Sequence, residues 1–148
     1  MPFPSVLLIG AGQLGSRYLQ GLVALEDSLN ITVVDPSEAS LAVCKERLAQ
    51  VPLASAHVMQ FSTSMEDVPQ HIDLALVVTP AHCRASVVAE LASRHHVKAW
   101  ILEKVLAQNC DQLDQIEQSL VGNSQVWVNT PRRLMGWHQE IRSQLLPA

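Results

Sequence analysis

The sequence has little charge, few aromatic residues and few cysteines, and each shortage excludes a class of protein. Of its 148 residues 4% are aromatic and 16% are charged, and the basic residues are scattered apart from Arg132 and Arg133. A nucleic-acid-binding surface needs a stripe of basic and aromatic side chains, so we expect no nucleic-acid partner. Cys44, Cys83 and Cys110 are odd in number and form no C-x-x-C pair, which indicates neither a disulfide framework nor a metal site.

Long hydrophobic runs are also missing, although 48% of the residues are hydrophobic. No run approaches the length of a transmembrane helix, so we expect no membrane partner. The start, Met-Pro-Phe-Pro, carries no cation, and the apolar run after it is too short for a signal peptide. We therefore expect a cytoplasmic protein. The length predicts one domain with a substantial core, and the net charge of −4 is typical of a globular chain.

A glycine-rich turn follows the first apolar run, residues 6–9, and leads into a helical pattern. The turn matches G-x-G-x-x-G and consists of Gly10, Ala11, Gly12, Gln13, Leu14 and Gly15. Gly10 permits a tight turn, Gly12 lets the backbone approach a ligand, and Gly15 lets the helix pack close to the sheet. Free N–H groups at the helix N-terminus attract phosphate. These six residues are therefore predicted to bind a dinucleotide.

An acidic residue stands where such a site would hold a ribose. The second apolar run, residues 30–34, ends at Asp35. A carboxylate there accepts hydrogen bonds from ribose hydroxyls and repels a 2′-phosphate, so NAD is predicted rather than NADP. Residues 36–38 contain no cation that could pair with an extra phosphate. The alternative is a glycine turn of another α/β protein, with Asp35 as a helix cap.

The rest of the chain alternates between strand and helix patterns. Further strands are predicted at 57–61, 74–78, 99–102 and 126–128, with helices between the strands. The expected fold is therefore an α/β, doubly wound parallel sheet of six strands in the order 3-2-1-4-5-6, a Rossmann fold.

Side-chain patterns also predict helix ends and faces. Ser37 should cap the second helix, and Gly122 should follow the end of the fourth. An apolar stripe is predicted on the first helix, at Leu14, Tyr18, Leu22 and Leu25. A final amphipathic helix is predicted from about Arg133, with its stripe at Leu134, Trp137, Ile141 and Leu145. We expect residues 1–130 to form the dinucleotide-binding domain and residues 131–148 to complete it or leave it.

Motifs at the ends of the later strands resemble those of one family. The fourth strand ends in Thr79-Pro80 with His82 close by, the fifth ends in Glu103-Lys104, and residues 129–133 read Asn-Thr-Pro-Arg-Arg. This order of motifs resembles the Gfo/Idh/MocA oxidoreductases. The resemblance implies an NAD(P)-dependent dehydrogenase of sugars or related polyols. It covers almost the whole chain but only the first domain of the family, whose substrate domain carries an acid and a histidine for proton transfer.

The resemblance implies roles for individual residues. Thr79, Pro80 and His82 are expected to bind the nicotinamide half of the cofactor, and Glu103 is expected to help position the nicotinamide ribose. Lys104 is the expected catalytic residue, because its ammonium would lie beside the reacting hydroxyl.

One position departs from the family's pattern. The proline of its E-K-P motif is Val105 here, so the Lys104–Val105 peptide is expected to be trans.

Several of these motifs, and the function as a whole, allow a second interpretation. Glu103 and Lys104 taken alone fit a solvated pair, and Arg132-Arg133 fits either an anion contact or solvated charge. Hydride transfer with a small-molecule substrate is expected to need a second domain. A regulatory module that binds NAD(H) without catalysis would need the glycines and Asp35 but neither Glu103 nor Lys104. The stripe of the final helix could instead pair with a second copy and form a homo-oligomer.

Overall fold

A computed structural model of the protein describes residues 3–122 and 125–145, apart from the side chain of Arg133. The strands found there are β1 Ser5–Ile9, β2 Asn30–Val34, β3 Val58–Ser62, β4 His71–Ile72, β5 Leu74–Val77, β6 His96–Val97, β7 Trp100–Glu103 and β8 Val126–Asn129. The helices are α1 Gln13–Val23, α2 Glu38–Leu48, α3 Ala81–Arg94, α4 Cys110–Ser119 and α5 Gly136–Leu145. Short 3₁₀ helices span Met65–Asp67 and Pro131–Leu134.

Six strands form one parallel sheet in the order β3-β2-β1-β5-β7-β8. Counted among themselves these strands have the predicted order 3-2-1-4-5-6, so the predicted doubly wound fold is confirmed. The sequence did not predict β4 and β6, which pair with each other in a separate two-stranded sheet. Two-residue strands are too short to show an alternating pattern.

The central strand β1 lies between β2 and β5, and the chain changes direction across the sheet at this point. Leu8 pairs with Val33 on one side and with Leu76 on the other. Successive residues of β1 point to opposite faces, so Leu7 enters one hydrophobic core and Leu8 the other. A crevice therefore opens beyond the carboxyl ends of β1 and β5.

The predicted apolar stripe of α1 is buried only in part, since Tyr18 and Leu22 pack against the core but do not form its most buried face. The buried residues are Gly15, Ser16, Leu19 and Val23, whereas Leu14 is 48% exposed and Leu25 is 49% exposed. The reason is the contact of Gly15 with the turn before the helix, where an added Cβ would lie 1.8 Å from the carbonyl oxygen of Gly10. This contact turns Gly15 and Leu19 toward the sheet and leaves Leu14 at its edge.

The predicted helix ends agree with the structure. The Ser37 hydroxyl accepts a hydrogen bond from the Ser40 N–H at 3.2 Å and caps α2. Gly122 follows α4 with φ +84°, a left-handed conformation that glycine adopts at little cost.

The end of the described chain differs from the prediction of one helix beginning near Arg133. A 3₁₀ turn starts at Pro131, and the extended residue Met135 separates it from α5. The predicted apolar stripe is exposed, from 79% at Leu134 to 48% at Ile141, so it does not pack on the sheet. Residues 146–148 of this segment lie outside the described residues. Among those that are described, no helix has the length and hydrophobicity needed to cross a membrane.

Candidate functional site

A cleft of about 740 Å³ lies at the carboxyl ends of β1, β2, β5 and β7. Most of the residues predicted to form the site line it, namely Gly10, Gly12, Gln13, Leu14, Gly15, Asp35, Thr79, Pro80, Glu103 and Lys104. The parallel sheet brings them together, because every strand that carries one of these motifs ends at the same edge.

The glycine turn has the backbone conformation that its residues predict. Gly10 has φ +98°, and an added Cβ there would lie 3.0 Å from the carbonyl carbon of Val78. Gly12 precedes α1 as its N-cap, and an added Cβ would meet no protein atom within 4 Å. No side chain caps α1, so its first N–H groups are free to bind an anion in the cleft.

Asp35 lies beside this turn and is joined to it. Its Oδ2 accepts a hydrogen bond from the Ala11 N–H at 2.7 Å, and its Oδ1 accepts one from the Ser37 N–H at 2.9 Å. Ala11 is buried and does not line the cleft, so its contribution to the site is the hydrogen bond to Asp35. An ionised carboxylate has about four lone-pair positions, so Asp35 can still accept hydrogen bonds from a ligand.

The cleft wall beside Asp35 includes residues that the sequence analysis missed. Pro36, Ser40, Thr63 and Met65 line it, from the segments that follow β2 and β3. Their side chains are small or apolar, and no motif marks them in the sequence.

Glu103 lies in a buried hydrogen-bond network at the opposite end of the cleft. It is 4% exposed, and its Oε1 accepts hydrogen bonds from the Tyr18 hydroxyl and from Asn129 Nδ2, each at 2.5 Å. Its Oε2 accepts the Lys104 N–H at 3.2 Å, and Asn129 also donates to the Tyr18 oxygen. Burial, and then the neighbouring Glu103 carboxylate, raise the pKa of the Tyr18 phenol far above its usual range.

The roles of Tyr18 and Asn129 were not predicted from the sequence. Tyr18 was interpreted as part of an apolar stripe, although a buried acid such as Glu103 needs donors and a tyrosine hydroxyl is one of them.

Lys104 lies exposed at the mouth of the cleft. Its ammonium makes no ion pair within the part of the chain that the structure describes. The Lys104–Val105 peptide is cis, so the expectation of a trans bond was wrong. That expectation rested only on the residue type of Val105. In the structure, Arg84 from α3 also donates hydrogen bonds to the carbonyl oxygens of Glu103 and Val105, on either side of this peptide.

Arg84 is another residue of the cleft that no motif in the sequence indicates. It is 2% exposed, and its Nη1 donates to the carbonyl oxygens of Glu103 at 2.5 Å, of Leu106 at 3.2 Å and of Val105. Its Nη2 donates to the carbonyl oxygen of Thr79. Burial lowers the pKa of the guanidinium, and the Glu103 charge acts in the opposite direction. Arg84 therefore joins the ends of β5 and β7 beneath the cleft.

Other candidate residues lie apart from the cleft. His82 is exposed on the first turn of α3 and does not line it. Arg132 lies in an adjoining depression of about 310 Å³ that Lys104 shares. His96 stacks on His71, with ring centroids 5.2 Å apart, in the small sheet of β4 and β6.

Comparison with known structures identifies the same fold. The chain superposes on the scyllo-inositol dehydrogenase of Lactobacillus casei with a TM-score of 0.70 and 15% identity, covering 97% of this chain and 41% of that one. For the myo-inositol 2-dehydrogenase of Lactobacillus plantarum the TM-score is 0.71 at 16% identity, with 98% and 41% covered. The WlbA dehydrogenase of Bordetella pertussis, solved with NADH and UDP-GlcNAcA, gives 0.72 at 15% identity, with 97% and 42% covered.

The chain thus spans about two fifths of the length of these enzymes. No curated protein sequence matches it significantly. The family model of oxidoreductases with an NAD-binding Rossmann fold matches residues 5–130, which include the glycine turn, Asp35 and Lys104. The chain belongs to the Gfo/Idh/MocA oxidoreductase family, of which it carries the NAD-binding Rossmann fold.

Proposed function

We propose that this chain is the NAD(H)-binding domain of a dehydrogenase that transfers hydride between nicotinamide and a sugar- or polyol-like hydroxyl. The observation that supports this most is the content of the cleft, where the glycine turn, Asp35 and the unpaired ammonium of Lys104 face one space. Bound NAD would supply the redox chemistry, and the residues of the chain would orient it.

Each part of the cleft suits one part of the cofactor. The free N–H groups of α1 and the space at Gly12 suit the pyrophosphate. Asp35 suits the adenosine ribose, and Thr79 and Pro80 at the end of β5 suit the nicotinamide half. Glu103 would help to position the nicotinamide ribose through its Oε2, which accepts one hydrogen bond from the protein, whereas its Oε1 already accepts two.

Lys104 would be the catalytic residue. Its ammonium is at the mouth of the cleft, where it can stabilise a developing alkoxide or assist proton transfer. A small-molecule substrate would be bound together with a second domain, because the structurally similar dehydrogenases are more than twice as long as this chain. We assign residues 1–130 to the cofactor-binding domain and residues 131–148 to the segment that completes or leaves it.

Binding measurements test the cofactor assignment. We expect NADH titrations, followed by nicotinamide fluorescence, to give a lower Kd than NADPH titrations, because Asp35 repels a 2′-phosphate. Asp35→Asn should reduce this preference by about tenfold, equivalent to about 1.4 kcal/mol. Glu38→Gln is the matched control, since it removes an exposed acid three residues away that does not line the cleft. A preference of the wild-type protein for NADPH would overturn the assignment.

A second candidate is a nucleotide-sensing module without catalysis. The network around Glu103 favours it, because Tyr18 and Asn129 give this acid a structural role that needs no substrate. Lys104→Ala distinguishes the two functions. If the chain belongs to a dehydrogenase, this substitution should abolish nicotinamide-dependent turnover by the intact protein. If the wild type shows no turnover and the variant binds NADH as tightly as the wild type, the nucleotide-sensing function is favoured.

A further inference from the structure

The guanidinium of Arg84 is buried but not ion-paired, although the Glu103 carboxylate is near enough to act on its charge. Arg84 forms no ion pair with a carboxylate anywhere in residues 3–122 and 125–145. Its two terminal nitrogens bind backbone carbonyl oxygens, among them those of Thr79 and Glu103, while its Nε is buried without a hydrogen-bond partner. Carbonyl dipoles solvate a cation but do not cancel its charge. A positive charge therefore remains beneath one end of the cleft.

The neighbouring charges leave this end of the cleft positive. The Lys104 ammonium lies at the mouth of the same end and has no ion pair among the described residues. The Glu103 carboxylate is the acid that lines the cleft there, and Tyr18 and Asn129 bind it without changing its charge. Among the described residues that line this end, two cations thus oppose one anion. Arg84 and Glu103 are almost fully buried, at 2% and 4% exposed, whereas Lys104 is exposed. Charges interact most strongly where water is excluded.

We propose that Arg84 makes the cleft bind reduced nicotinamide in preference to the oxidised form. The inference rests on the proposed function, in which the nicotinamide lies near Thr79 and Lys104. The oxidised ring carries one positive charge, whereas the reduced ring is neutral after it has accepted two electrons and one proton as hydride. Both forms share the same pyrophosphate and adenosine, so their difference in affinity reports the field at the ring. Arg84 repels the oxidised ring and leaves the reduced ring unaffected.

Tighter binding of the reduced form changes the chemistry of the bound cofactor. It raises the midpoint potential of the bound couple, and a tenfold ratio of affinities corresponds to about 30 mV for two electrons. The bound cofactor then accepts hydride from a hydroxyl more readily than free NAD does.

The test compares the Kd values of NAD⁺ and NADH for three proteins at one ionic strength. In the wild type NADH should bind about tenfold more tightly, and Arg84→Gln should remove most of this ratio because it deletes the charge. Arg84→Lys is the matched control, since it keeps the charge but loses the planar set of donors. It should weaken both nucleotides and leave their ratio within about threefold of the wild-type value. A purely structural role for Arg84 predicts that both variants weaken both nucleotides by similar factors.

A second variant keeps the proposal testable where Arg84→Gln fails to fold. Glu103→Gln has the same shape and removes a negative charge from the same end, so it should increase the preference for NADH over NAD⁺. An unchanged ratio in Arg84→Gln or in Glu103→Gln overturns the inference, as does an equal shift in Arg84→Lys. If neither nucleotide binds the wild-type protein, the proposed function itself fails, which is a different result from two nucleotides bound with equal affinity.

Discussion

At the scale of single residues, the buried carboxylate of Glu103 depends on partners that are distant in the sequence. Tyr18 reaches it from α1 and Asn129 from the end of β8, so the network joins a helix to the carboxyl ends of β7 and β8. A buried acid that loses a donor keeps its desolvation cost and loses the compensating hydrogen bond. The two donors therefore stabilise both the fold and the cleft.

Removal of the Tyr18 hydroxyl measures this contribution. We expect Tyr18→Phe to lower the free energy of unfolding by about 1–2 kcal/mol, because it leaves Glu103 Oε1 with one fewer donor. Urea denaturation followed by tryptophan fluorescence gives the value. A change below about 0.3 kcal/mol would show that the hydrogen bond contributes little, since measured net contributions are larger.

The raised pKa of Tyr18 gives a second prediction at this scale. Tyr18 is the one tyrosine of the sequence, so the absorbance of tyrosinate reports it directly. In the unfolded chain it should ionise near pH 10, and in the folded protein at a clearly higher pH. The stabilisation by this phenol is therefore complete below about pH 10 and is lost as the pH rises toward the folded pKa. Titration of the folded tyrosine near pH 10 would contradict the buried network.

Single residues could be predicted from the sequence where their chemistry is local. Gly10 and Gly12 belong to one short motif, and Asp35 ends the next strand, so spacing was enough to place them at the site. Arg84 and Tyr18 could not be found in this way, because all their side-chain partners except Thr79 lie 19 to 111 residues away in the chain. His82 was expected in the site from its position near Thr79, but it does not line the cleft.

At the scale of elements, the first helix depends on one close backbone contact. Gly15 of α1 lies so near the Gly10 carbonyl that a methyl group would overlap the oxygen at 1.8 Å. Gly21 lies in the same helix, is exposed and has open space around its Cβ position. The two glycines therefore make a matched pair for substitution.

We expect Gly15→Ala to lower the free energy of unfolding by about 3 kcal/mol or more, because overlap with the backbone forces α1 away from the sheet. Gly21→Ala should raise it by about 0.5–1 kcal/mol through the higher helix propensity of alanine. Thermal and urea denaturation of both variants check the pair. Equal effects of the two substitutions would show that α1 does not rest on the turn at Gly10.

The elements themselves were largely predictable, for a physical reason. Buried parallel strands such as Leu74–Val77 form continuous apolar runs, and α3 shows the helical spacing of Ala85, Val88 and Leu91, all of which are buried. The orientation of α1 was not predictable from hydrophobicity, since its contact with the turn is made by a glycine. The start of α5 was predicted too early, near Arg133, because the 3₁₀ turn that begins at Pro131 has the same apolar spacing as the helix.

At the scale of the whole molecule, the cleft does not explain the exposed apolar stripe that runs from the 3₁₀ turn into α5. Leu134, Trp137, Ile141 and Leu145 all lie exposed on this segment. Exposed apolar stripes of this kind mark interaction surfaces. The proposal that this helix pairs with a second copy of the chain therefore remains a prediction.

We expect the intact chain to be a dimer in light scattering and a chain without residues 133–148 to be a monomer. Ile141→Glu should also give a monomer, because it introduces a charge into the stripe. Gln139→Glu is its control, since it adds the same charge to an exposed residue about 200° away around the helix. A monomeric wild-type chain, or a dimer that survives Ile141→Glu, would exclude pairing through α5.

The order of the whole sheet followed from the sequence because strands and helices alternate and crossovers are right-handed. The size of the cleft and the charges beneath it did not follow, since they depend on how distant side chains meet. The central claim is that a dinucleotide pyrophosphate binds at the start of α1. This claim depends on the glycine turn and the strand order, which could be predicted from the sequence.

The most direct measurement of this claim is NADH binding by the wild-type protein and by Gly12→Asp. Aspartate is a favourable N-cap and has open space at this position, so the variant should be as stable as the wild type or more stable by about 0.5–1 kcal/mol. Its carboxylate would occupy the place of the pyrophosphate, and we predict that NADH affinity falls at least about a hundredfold, or about 2.7 kcal/mol. Equal NADH affinity of the two stable proteins, or no binding by the wild type, would contradict the account.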